Sequence, residues 1–129
     1  MEGTGHNTPL SPEECRQLLR GHRMGRVSWA SAAGIQVLPV SYAVSDDRIV
    51  LRTATGSMLA GLVEPQQVGF EIDDLDAETQ TGWSVLVQGT SGPGEYLEGL
   101  LTEPWAPGER LVVVAITPSA YSGRAIAAN

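Results

Sequence analysis

The chain has 129 residues, enough for one domain around a single core, and its 42% apolar and 18% charged composition is that of a folding sequence. A net charge of −7 excludes nucleic acid as a general partner, because a phosphate backbone calls for a basic footprint. The lone Cys15 excludes an internal disulfide, and with only His6 and His22 beside it no metal site is expected.

The first ten residues are polar and rich in Gly, Thr and Asn, with neither an apolar signal core nor a membrane-length apolar run anywhere after them. They predict a flexible N-terminus (1–10) before a single domain (11–129), in a cytoplasmic protein without membrane contact. A helix then starts sharply. Ser11 suits the N-cap, Pro12 the first helical position and Glu14 the closing position of a capping box, while Cys15, Leu18 and Leu19 form one apolar face up to Gly21.

From Met24 the hydrophobic period changes to two. Val27 and Trp29 alternate, Ala32-Ala33-Gly34 reads as a turn, and a strand is predicted from Ile35 to Val44. Its phase slips at Pro39, which predicts a bulge or an edge position there. Ser45-Asp46-Asp47 turns the chain into Ile49, Leu51 and Thr53. A helix is predicted from Gly56 through Met58, Leu59, Leu62 and Val63, stopping before Pro65. Val68, Phe70 and Ile72 alternate next, with Glu71 and Asp73 on the opposite face, and then Trp83, Val85 and Val87 up to Gly89. Beyond an irregular stretch with one helical turn at Tyr96, Leu97 and Leu100, Val112 to Ile116 form a sixth strand ended by Pro118. Ala120 to Ile126 adds a last short one. Six to seven mostly antiparallel strands with an N-terminal helix and one inserted helix make a mainly β barrel or sandwich, and the missing βαβα rhythm excludes a dinucleotide-binding α/β fold.

The densest chemistry lies in Arg52-Thr-Ala-Thr-Gly-Ser-Met-Leu59. A guanidinium fork at Arg52, hydroxyls at Thr53, Thr55 and Ser57, and backbone N–H groups past Gly56 suit a phosphate. The plainer alternative is a solvated strand end with ordinary turn chemistry. The acidic run Glu71 to Glu78 lacks the glycine and closing glutamate of a calcium loop and reads as a solvated turn. No nucleophile, base and orienting group stand at recognisable spacing, so no catalytic residue is assigned.

Taken in order, Met24-Gly-Arg-Val-Ser, Val37-Leu-Pro-Val-Ser-Tyr, Ile49-Val-Leu-Arg-Thr-Ala-Thr-Gly-Ser, Val68-Gly-Phe-Glu-Ile-Asp, Thr81-Gly-Trp-Ser-Val-Leu-Val-Gln-Gly, Glu103-Pro-Trp-Ala-Pro-Gly and Gly123-Arg-Ala-Ile resemble the pyridoxamine 5′-phosphate oxidase-like, FMN-binding split-barrel family, in its actinobacterial form. The similarity runs over about residues 10 to 127. It implies a split β-barrel homodimer with flavin sites between the subunits, acting as an oxidoreductase on a small molecule. By the same resemblance Arg52, Thr53 and Ser57 would hold the FMN phosphate, and Pro39, Val40, Ser41 and Tyr42 would lie along the ring. Trp83 and Gln88 would stand near the cleft, with Trp105 and Arg124 approaching from the partner. On the residues alone, Trp83 and Trp105 suit core or interface anchors and Tyr42 suits barrel packing. Family members commonly carry Lys where this chain has Met58. That exchange supports an alternative: a non-catalytic split-barrel dimer that has lost strong flavin affinity and binds another ligand or partner. A deazaflavin reductase is a third reading.

Overall fold

A computed structural model describes residues 6–95 and 111–127. The capping box forms as the sequence predicts: the Glu14 amide donates to Ser11 Oγ at 3.1 Å, and the Ser11 amide donates to Glu14 Oε1 at 2.8 Å. It opens α1 (Pro12–Arg20), which buries Cys15 and Leu19 and ends at Gly21, whose N–H donates back to the Gln17 and Leu18 carbonyls.

Eight strands among the described residues build one antiparallel sheet: β1 (His6–Pro9), β2 (Met24–Ser31), β3 (Gly34–Ser41), β4 (Ala43–Ser45), β5 (Arg48–Ala54), β6 (Gln67–Asp76), β7 (Thr81–Pro93) and β8 (Leu111–Ala127). Their order is β3-β2-β6-β7-β8-β5-β4, with β1 added to the C-terminal end of β8. The sheet curls until β3 and β5 touch, giving an open half-barrel. Period-two alternation decides its faces. Val27, Trp29, Phe70, Ile72, Val85, Val87, Val114 and Ile116 fill the inside, where α1 contributes Cys15 and Leu19, and Leu62 comes from a 3-10 helix (Leu59–Val63). Packing is tight enough that a Cβ on Gly25 would stand 2.6 Å from the Phe70 ring.

Three expectations are corrected and a fourth is narrowed. His6–Pro9 is not loosely attached but pairs with β8 from Pro9↔Arg124 to His6↔Ala127; a polar segment recruited by backbone pairing leaves no apolar period to read. Of the bulge or edge position expected at Pro39, the edge is found: β3 ends the strand order among the described residues, and the β2–β3 register runs unbroken from Met24↔Ser41 to Ser31↔Gly34. The phase slip arises because Ile35 and Val37 face outwards, 80% and 57% exposed, on what is an edge strand among the described residues. The inserted helix is a five-residue 3-10 helix rather than an α-helix. Finally, β7 continues past Gly89, and β8 is one strand of 17 residues that passes through Pro118. The proline fits because the β7–β8 register shifts there, with Gln88↔Ala120 followed by Gly89↔Pro118. The helical turn expected at Tyr96 to Leu100, and Trp105, lie outside the described residues.

Candidate functional site

The outer face of the sheet is ordered in cross-strand rows. One row runs Pro39, Arg26, Glu71, Leu86, Ser122, and the next runs Val37, Ser28, Gly69, Gln88, Ala120. Beside them Ser41 pairs with Met24, and Ser84 with Arg124. Pro39, Ser41, Gln88 and Arg124 therefore project from one face. They do not converge within a chain: β3 and β7 are separated by β2 and β6, so Pro39 and Gln88 stand three strands and one row apart.

Alternation divides the Pro39–Tyr42 segment. Pro39 and Ser41 face outwards, whereas Val40 and Tyr42 are buried. Tyr42 packs edge-on against Phe70, its hydroxyl donates to the Leu19 carbonyl at 2.7 Å, and burial pushes its pKa up. Its side chain is committed to the core, and its backbone N–H donates to the Arg23 carbonyl at 2.9 Å. Trp83 also belongs to the inner phase, packed against the core and edge-on to His22 with ring centroids 4.7 Å apart, on the opposite face from Gln88.

The Arg52 cluster is split in the same way. Arg52 pairs with Val113 on the outer face and has its Nη2 nitrogen buried, whereas Thr53 pairs with Val112 on the core side. Thr53 Oγ1 lies 2.6 Å from Ser57 Oγ, which also accepts the Ala60 amide at 3.2 Å. One of these hydroxyls donates to the other, so the pair keeps one O–H for a further partner. Gly56, at φ +82°, turns the chain with nothing within 4 Å of where a Cβ would be, and Met58 beside it is 54% exposed. A guanidinium, a spare hydroxyl and an open glycine turn form a donor set that suits an anionic group. The five-residue 3-10 helix is too short to add a helix-terminus site, and its Ala60 amide is already bonded to Ser57 Oγ.

Glu71 and Asp73, expected from the sequence in a solvated turn, instead lie in β6 and form with Arg26 a charged cluster in the middle of the outer face. Arg26 Nη1 donates to Glu71 Oε1 at 2.8 Å and to Asp73 Oδ2 at 3.4 Å. Burial, reinforced by the hydrogen bond and charge of Asp73, pushes the Glu71 carboxyl up to about 7 against the opposing pull of Arg26. Its sequence signal was the shared outward phase of Glu71 and Asp73. Elsewhere, Cys15 is buried against β8, and burial raises its thiol pKa, as suits a core residue.

A curled antiparallel half-barrel with an anion-suited turn at its seam defines a split-barrel class of protein. Residues 11–125 match the family model described as pyridoxamine 5′-phosphate oxidase, and the chain belongs to that family. It is 33% identical to the uncharacterized protein Rv0080 of Mycobacterium tuberculosis, covering 93% of this chain and 86% of that one. Among solved structures it resembles the FAD binding protein from Mycobacterium smegmatis at 26% identity and a TM-score of 0.80, over 95% of this chain and 100% of that chain. A FAD-binding protein from Mesorhizobium loti shares the fold at 23% identity and a TM-score of 0.78, over 95% and 98% of the two chains. No helix among the described residues is long and apolar enough to cross a membrane.

Proposed function

We propose that the protein is a cytoplasmic flavin-binding oxidoreductase, with FMN held between two copies of the chain and a small organic molecule as substrate. The observation that carries this reading is the division of the site. Arg52 and the Thr53–Ser57 pair stand on β5 and the turn after it, beside the Val113 end of β8, while Gln88 and Arg124 lie far along the β7–β8 ladder, at and beyond Ala120. A second copy laid on that face would bring the two halves together. Support also comes from the outward apolar side chains Met24, Ile35, Val37 and Leu86, which favour a covered surface, and from the resemblance to an FAD binding protein.

Bound flavin would supply the hydride chemistry, and the protein would supply position and electrostatics. Arg52 would form charge-assisted hydrogen bonds to the phosphate, with the spare hydroxyl of the Thr53–Ser57 pair beside it. Pro39 and Ser41 would border the ring, and Gln88 and Arg124 of the second copy would close the cleft. Trp105 of the second copy keeps the role that the resemblance implies.

Met58 favours a second reading, in which a monophosphate is held weakly. The chain would then take FAD or a deazaflavin, or act as a non-catalytic dimer for another ligand. The deciding experiment is the visible spectrum of freshly purified protein, followed by fluorescence titration with FMN and FAD and by light scattering for mass. Flavin absorption in a dimer supports the proposal. Colourless protein that leaves micromolar flavin unquenched would overturn it.

A further inference from the structure

Two carboxylates share one guanidinium at the centre of the face that the proposed dimer would cover. Glu71 and Asp73 are successive outward positions of β6, and both approach Arg26 Nη1 of β2. On the other side β7 presents only Leu86 and Ser84 to them, and the next charge is Arg124 on β8, beyond Ser84. The ionised cluster therefore carries one negative charge in excess, with no countercharge on the adjoining strand.

We infer that self-association across this face takes up protons, with the Arg26–Glu71–Asp73 cluster acting as a pH-sensitive latch that tightens the dimer as the medium becomes more acidic. The inference rests on the dimer proposed above. Bringing two copies together removes water from the cluster and sets two excess charges into one interface, which favours the protonated carboxyl on both sides. Glu71 is the group poised to take that proton, since burial and Asp73 already hold its pKa near 7 in the single chain. The same burial that closes the cleft would thus couple ligand capture to pH.

The test is the dimer dissociation constant of the full chain by sedimentation at pH 6, 7 and 8 and fixed ionic strength. By linkage, a group titrating near 7 in the free chain and protonated in the dimer should weaken association about tenfold or more from pH 6 to 8. Glu71→Gln should bind at every pH about as tightly as the parent does at pH 6, and Asp73→Asn should move the transition to lower pH. Glu78→Gln, in the turn after β6, should keep the parent profile. A parent dimer that is indifferent to pH, one that tightens as pH rises, or an unchanged slope in Glu71→Gln would each overturn the latch while leaving the dimer standing. A monomer at every pH and concentration would remove both.

Discussion

Arg52 and Thr53 are neighbours in β5 yet point to opposite faces of the sheet, the first beside Val113 on the outside and the second beside Val112 towards the core. A pair that reads in sequence as one phosphate clamp is therefore two devices. Arg52 is the electrostatic one. Arg52→Ala is expected to weaken flavin binding about tenfold or more, the loss of a charge-assisted hydrogen bond, while Arg48→Ala changes it less than about twofold. Thr53→Val should mainly lower stability, by about 1 kcal/mol for the lost bond to Ser57. Fluorescence titration and thermal melts of the three variants separate these effects, and equal affinity losses for Arg48 and Arg52 would remove Arg52 from its role.

Met58 stands half-exposed beside the glycine turn, so a longer cationic side chain fits there without repacking. Met58→Lys should raise affinity for FMN about tenfold, or about 1.4 kcal/mol, and this gain should shrink with added salt. If the parent binds nothing measurable and the variant binds well, the site has lapsed. An unchanged titration would mean that the turn does not face the phosphate.

Most of the inner face was legible in the sequence because alternation marks burial directly: Val27, Trp29, Phe70, Ile72, Val85 and Val87 all lie where their period puts them. What escaped had no such mark. Ile35 and Val37 are apolar on an outward face, so alternation alone could not separate a bulge from an edge strand there. The polar β1 exists through its ladder with β8, and Pro118 is carried by a register shift that only the partner strand reveals. For the site, residue type pointed to the anion-suited turn, but adjacency in sequence hid the opposite directions of Arg52 and Thr53; for Tyr42 the phase shared with Val40 already suited barrel packing, against the ring-side place that the resemblance implied.

Tyr42 illustrates the consequence. Its hydroxyl bonds the Leu19 carbonyl at 2.7 Å inside the core, tying the end of α1 to the chain leaving β3. Tyr42→Phe should cost about 1–2 kcal/mol, because it leaves the Leu19 carbonyl only the long bond from the His22 amide at 3.5 Å, and should leave flavin affinity within about twofold. Denaturant unfolding and flavin titration of the one variant check both halves. A large affinity loss with unchanged stability would place the ring in the cofactor cleft after all.

Glu71 gives the fold a pH dependence of its own, separable from association by working at concentrations where the chain is monomeric. Its carboxyl titrates near 7 in the folded chain against an ordinary value of 4.5, first through burial and then through Asp73. A raised folded-state pKa means that the folded chain holds the proton more tightly, so this contribution is intact below about pH 4.5 and is lost as pH rises to about 7. Glu71→Gln should therefore melt with the parent at pH 4 and above it at pH 8, the gap opening across that window. The opposing term is the ion pair with Arg26, and partly exposed pairs of this kind contribute only about 0–1 kcal/mol. Thermal melts at pH 4, 6 and 8 decide between them: a Glu71→Gln variant less stable than the parent at pH 8 would show that the Arg26 pair outweighs the cost of keeping Glu71 ionised beside Asp73.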